Sequence, residues 1–156
     1  MRVKVIAVGR LGRPHYRAAA DVYKDRLKHY NKFEEIEVRE ARKVERRNTG
    51  PAVEEEGKRL LAAVPKGALC IAMDERGKEM DSARFAELIE DQMVYGRNDL
   101  CFLVGGALGL APMVKKSADR SLALSRMTMP HELARVVLME QIYRAMTIIR
   151  GEPYHK

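Results

Sequence analysis

The 156-residue sequence has only two cysteines, Cys70 and Cys101, each inside an apolar run and neither in a C-x-x-C pair. Such usage argues against a disulfide framework and against a thiolate metal site, so both are expected as buried thiols. The four histidines, His15, His29, His131 and His155, show no ligand spacing, and no metal is expected. No apolar run approaches the roughly 20 residues of a membrane-spanning helix. The opening Met1-Arg2-Val3-Lys4-Val5 lacks the apolar centre and small-residue cleavage site of a signal peptide. These absences point to a cytoplasmic protein with no membrane attachment. Internal repeats, low-complexity tracts and a second domain are also missing, so residues 1–156 are expected to form one domain, able to bury roughly two thirds of its unfolded surface.

What the chain does have is positive charge, 29 Lys and Arg against 22 Asp and Glu, a formal balance of +7 that favours an anionic partner such as nucleic acid. Strand and helix signals alternate along it. Val3-Lys4-Val5-Ile6-Ala7-Val8 reads as a strand ending in the turn 9–12. From Pro14, Tyr16, Ala20, Tyr23, Leu27 and Tyr30 recur at helical spacing. Glu34-Glu35-Ile36-Glu37-Val38 alternates as a strand with one buried face, near a sheet edge. Residues 39–50 read as a mobile basic loop, with Arg39, Arg42, Lys43, Arg46 and Arg47 against Glu40 and Glu45; such a run is either solvated surface or a phosphate contact. A helix resumes at Pro51 and stops at Pro65-Lys66-Gly67.

The apolar run 68–73 suggests a central strand, and Asp74-Glu75-Arg76-Gly77-Lys78 a turn at its carboxyl end. Asp81 or Ser82 caps the next helix, and Gly96 is placed to end it in the left-handed conformation. Strands at 100–104 and 122–124 follow, then a final helix over 132–149. Five strands separated by helical crossovers predict an α/β fold, a mainly parallel sheet flanked by helices on both faces. Ligands of such sheets bind at strand carboxyl ends, which gathers Met73, Gly105 and the segment after Leu124. Gly105-Gly106-x-x-Gly109 is neither a dinucleotide fingerprint nor a Walker A loop. It marks either a plain strand-to-helix turn or a close backbone approach to a ligand, where a side chain is expected to fill the pocket; the irregular segment 124–130 favours the second. The last helix is apolar most of the way round through Val136-Val137-Leu138-Met139 and Ile142-Tyr143. This predicts burial on a second face, against another copy of the chain or, alternatively, within a core.

Several segments resemble one family. They are Leu103-Val104-Gly105-Gly106-Ala107-Leu108-Gly109-Leu110, Leu124-Ser125-Arg126-Met127-Thr128-Met129-Pro130-His131, the run 135–145 and the ending Arg150-Gly151-Glu152-Pro153-Tyr154-His155-Lys156. With Val5-Ile6-Ala7-Val8-Gly9 and the 73–78 turn, they are similar to the SPOUT-class ribosomal RNA large subunit methyltransferases that methylate N3 of a pseudouridine. Coverage is essentially full length, and one departure is Ala107, where the family often has Pro or Ser. The resemblance implies a homodimer acting on large-subunit ribosomal RNA within ribosomes, with a C-terminal trefoil knot that cradles S-adenosylmethionine. By position, the cofactor contacts fall on Met73, Gly105, Leu124, Ser125, Arg126, Met127, Thr128 and Met129. The family's reaction needs positioning and removal of the N3 proton, so His155, Tyr154 and Arg135, with His131, are the candidates on the target side.

Two other function classes bear on the same residues. A non-enzymatic RNA-binding module accounts for the charge but leaves the glycine cluster and the 124–130 segment unexplained. A Rossmann-type nucleotide enzyme requires a fingerprint that the turn 9–12 lacks.

Overall fold

The computed structural model describes residues 1–30, 32–42, 47–96 and 99–156. In chain order the elements are β1 (Arg2–Val8), α1 (Pro14–Leu27), β2 (Lys32–Val38), α2 (Gly50–Ala62), β3 (Leu69–Glu79), α3 (Ser82–Tyr95), β4 (Leu100–Val104), α4 (Pro112–Ser117), β5 (Arg120–Ala123) and α5 (His131–Ile149). The strands form one sheet in the order β2-β1-β4-β3-β5, and each pairing is parallel. β2 is an edge strand, as its half-polar alternation predicts.

Period-two alternation sorts the sheet's side chains into two cores. Val3, Val5, Ile71 and Phe102 face a core shared with α1, α3 and α5, while Ile6, Val8, Ala72 and Leu103 face one shared with α2 and α4. Both cysteines are buried on the second side, in register on adjacent strands. Burial pushes both thiols above their ordinary pKa, Cys101 to about 12. Asp81 caps α3 by accepting the Arg84 N–H at 2.8 Å.

Three features differ from the sequence reading. β3 does not stop at Met73: it runs on to Glu79, and its register against β5 shifts between Met73 and Lys78. The stretch read as a turn is therefore a strand, admitted by β5 alongside it. Gly77 is required there, since a Cβ would lie 2.7 Å from the Leu122 nitrogen. α4 escaped the periodicity because six residues are too few to display one. Gly96 is extended, with φ −74° and ψ 141°, rather than left-handed.

For α5 the sequence reading left two settings open, a second copy or a core. Leu138, Met139, Ile142 and Ala145 are fully buried within a single chain, with Val136 and Met146 nearly so, in the core that α1, α3 and the sheet share. Most of the helix's apolar girth is thus buried within its own chain, while Leu133 and Val137 stay part-exposed. Among the described residues, no helix is long and apolar enough to cross a membrane.

Candidate functional site

Because all five strands run the same way, their carboxyl ends share one rim of the sheet. At that rim a cleft of about 660 Å³ opens between the end of β3, the turn after β4 and the segment joining β5 to α5. Its size lies within the range of roughly 300–1,000 Å³ usual for small-molecule sites. Val104, Leu110, Leu122 and Leu124 supply apolar lining, and Asp74, Glu75 and Lys115 supply charge.

The turn after β4 owes its shape to its glycines. Gly109 has φ +75° and donates its N–H to the Gly106 carbonyl at 3.0 Å, so the chain doubles back on itself. A Cβ on Gly105 would sit 2.6 Å from the Gly109 carbonyl carbon and 3.0 Å from the Leu110 nitrogen. The close approach at Gly105 is therefore to the turn's own backbone. The expectation that a side chain there fills the pocket gives way to one in which it breaks the pocket's wall.

On the opposite wall, Asp74 meets Lys115 Nζ at 2.6 Å. Burial acts to raise the Asp74 pKa, but the Lys115 bond and the Arg76 N–H outweigh it and hold the carboxyl below its ordinary value. Two further carboxylates of β3 hold the segment beyond β5. Glu75 accepts the Thr128 hydroxyl at 2.6 Å, and Glu79 accepts Arg126 Nε at 2.8 Å. Within the segment, the Met127 N–H donates to Ser125 Oγ at 2.9 Å.

Of the eight residues expected to contact a cofactor, Met73, Gly105, Leu124, Ser125, Met127, Thr128 and Met129 line this cleft. Arg126 does not line it: its side chain is 80% exposed and turned to Glu79. His131 lines the cleft from the first turn of α5, and Ala134 follows.

The three residues expected to be catalytic lie elsewhere. Arg135 is 1% exposed and spans three elements. Its Nη1 donates to Glu37 at 2.8 Å and Glu35 at 3.2 Å, and its Nη2 to the carbonyls of Gly9 at 2.8 Å and Val8 at 3.2 Å. This guanidinium docks α5 onto the ends of β1 and β2. Tyr154 and His155 belong to a tail that turns at Gly151, φ +67°, and folds back along α5. The Tyr154 ring packs edge-on to Tyr143 with centroids 4.8 Å apart, beneath the Arg144 guanidinium, and its hydroxyl donates to Glu140 at 3.1 Å. Burial and that bond push its phenol up to about 12. His155 Nδ1 lies 3.4 Å from Arg144 Nη1. Arg144 is thirteen residues beyond His131, about 20 Å along a helix axis. Neither tail residue lines the cleft of its own chain.

Sequence reasoning did not select Asp74, Glu75 or Lys115. The first two were visible as polar residues at a strand's end, whereas Lys115 rides on the helix that periodicity missed. Of the basic loop, Arg39, Arg42 and Arg47 are exposed, and Lys43 and Arg46, with Glu45, lie outside the described residues. Arg59 Nη1 donates to the carbonyls of Arg39 and Glu40 at 2.9 and 3.0 Å, which anchors the start of this segment to α2. Arg39 leaves β2 on the same rim as the cleft. Two strand spacings, about 10 Å, separate β2 from β4.

Residues 1–155 match the family model described as "Predicted SPOUT methyltransferase". A protein of Anaeromyxobacter dehalogenans named "Ribosomal RNA large subunit methyltransferase H" is 51% identical over 156 residues, covering all of both chains. Proteins of the same name from Limosilactobacillus reuteri and Carboxydothermus hydrogenoformans are 42% and 41% identical, again over the whole of both chains. Among solved structures, the fold is similar to a probable methylase family protein from Haemophilus influenzae, with a TM-score of 0.55 and 12% identity over 99% of this chain and 70% of the other. It is also similar to a structure titled "Structural insights into the 2-OH methylation of C/U34 on tRNA", with a TM-score of 0.52 and 16% identity over 97% and 98%.

Proposed function

Since the chain belongs to the SPOUT methyltransferase family, we propose that it transfers a methyl group from S-adenosylmethionine to N3 of a pseudouridine in large-subunit ribosomal RNA. The observation that carries this reading is the meeting of Met73, Gly105 and the segment beyond β5 around one cleft. The lining fits the cofactor's chemistry. Apolar side chains suit an adenine ring and a thioether chain, Asp74 and Glu75 suit hydroxyl and cationic groups, and Lys115 suits a carboxylate. When bound, S-adenosylmethionine supplies an electrophilic sulfonium methyl.

The chain's own tasks are then to bind, orient and deprotonate. Met73, Gly105, Leu124, Ser125, Met127, Thr128 and Met129 hold the cofactor. His155 accepts the N3 proton directly or through water, and Tyr154, its hydroxyl engaged by Glu140, packs its ring against the target base or the cofactor edge. Arg135 serves the site by fixing α5, at whose first turn His131 faces the cleft. Because the tail lies along α5, away from its own cleft, its role requires a homodimer in which each copy presents the tail to the other's cleft. The exposed Arg10, Arg39 and Arg42 follow strand ends on the cleft's rim and favour an RNA backbone approaching from that side. We extend the reading to one domain over 1–156, to the trefoil knot and to the cytoplasm, where ribosomes are found. Support for the knot is that the turn after β4 and the segment after β5 wall one cleft.

The test is transfer of a labelled methyl group from S-adenosylmethionine to whole ribosomes, free subunits and naked RNA, followed by nucleoside analysis. Labelled 3-methylpseudouridine is expected. Incorporation into none of the three would overturn the reading.

A further inference from the structure

β3 continues past the body of the sheet, and that continuation has a purpose the cleft explains. After the register shift, Lys78 pairs with Leu122 and Glu79 with Ala123, so the continuation flanks β5 up to the residue before the cleft segment begins. That segment, residues 124–130, has neither helix nor strand to hold it. Met127 at its crest is 80% exposed and therefore gains little from packing. Leu124 at its start packs against the core, and beyond it the side-chain ties to β3 are the two carboxylate contacts, Glu75 to Thr128 and Glu79 to Arg126.

Resting on the reading of this cleft as the S-adenosylmethionine site, we propose that Glu79 and Arg126 are positioning residues that, alongside the Glu75–Thr128 contact in the cleft wall, clasp the cleft segment in its binding conformation before the cofactor arrives. A segment whose crest, residues 126–128, is exposed loses conformational freedom on binding, and that loss is subtracted from affinity. Two charge-assisted contacts to a strand remove part of that freedom in advance. The clasp assigns Arg126 a role different from that of its neighbours: it acts from outside the cleft through Glu79 and does not touch the ligand.

Glu79 and Arg126 are both well exposed, which separates their effect from folding. An exposed pair contributes little to global stability, so Glu79→Ala and Arg126→Ala are expected to melt within about 2–4 °C of the parent. Each should weaken S-adenosylmethionine binding, measured by calorimetry, by up to about fivefold. The decisive variant is the exchange Glu79→Arg with Arg126→Glu, which restores the pair with its charges reversed. Recovery to within about twofold of parent affinity is expected. Failure to recover, with the single variants weakened, would mean that Arg126 meets the ligand directly and would overturn the clasp. Hydrogen exchange supplies a readout in the ligand-free protein: Glu79→Ala should speed exchange of the Met127 amide and leave the β4 amides unchanged. Unchanged exchange at Met127 would also overturn the clasp. A parent protein that binds no S-adenosylmethionine would overturn the site reading instead, whatever exchange shows.

Discussion

Replacing Arg135 by Met separates chemistry from architecture in one experiment. The change removes a guanidinium that makes four hydrogen bonds, two to carboxylates and two to backbone carbonyls, in a position 1% exposed. Methionine fills most of the volume but donates nothing, so the Val8 and Gly9 carbonyls and two carboxylates lose their donor. Breaking a buried pair by removing one partner costs about 3–5 kcal/mol. The lower end applies here, because the carboxylates keep other partners: Glu35 retains Lys24 at 2.9 Å, and Glu37 retains the Leu11 N–H at 3.0 Å and is a third exposed. Arg135 Nε also lacks a hydrogen-bond partner, so one donor's desolvation is already paid in the parent. At about 3 kcal/mol, and with roughly 2–4 °C per kcal/mol for a chain of this size, the melting temperature should fall by about 6–12 °C. Calorimetric melting measures this directly. Methyl transfer assayed well below the transition should retain most of the parent turnover. Arg135→Lys, which keeps one charge but not the fork, should fall between the two in stability. An unchanged melting temperature with turnover abolished would refute the argument and return Arg135 to the reacting groups.

The turn after β4 gives a paired expectation. Gly105→Ala drives a Cβ into the Gly109 backbone and should cost about 1–3 kcal/mol with cofactor affinity falling at least about tenfold, whereas Gly109→Ala, with nothing within 4 Å, should cost only the roughly 1–2 kcal/mol of a left-handed residue. Calorimetry on both variants decides, and the reverse order of affinities would refute the steric account. In the tail, Tyr154 is pushed up to about 12 by burial and its Glu140 bond, so it stays protonated at neutral pH and is no proton acceptor there. His155→Ala should therefore lower single-turnover methylation by roughly 10²-fold with cofactor affinity little changed, and Tyr154→Phe should have the milder effect. Parent rates from His155→Ala would reduce the tail to a chain end.

Much of the architecture was legible because it is written in local periodicity. Alternation in Val3 to Val8 and the apolar run before Met73 depend on side-chain spacing along one strand, and helical spacing from Pro14 depends on one turn after the next. Parallel strands follow from the intervening helices, and parallel strands place a cleft at their carboxyl ends. Hence Met73, Gly105 and the segment after Leu124 could be grouped before any contact was known, and the family resemblance named the same three places.

Long-range meetings were not legible, because no local pattern encodes which charged group a side chain will find. Arg135 looked like a candidate for chemistry until Glu35, Glu37 and two carbonyls from elements about a hundred residues away proved to surround it. Arg126 sat in a run of cofactor residues, yet its partner is Glu79, forty-seven positions earlier, on a strand that charge had disguised as a turn. The apolar girth of α5 allowed either a second copy or a core, and the packing of α1 and α3 against it accounted for most of that girth inside one chain. Periodicity records how much of a surface must be buried; only the tertiary structure decides what buries it, since burial is non-directional and any apolar face satisfies it equally.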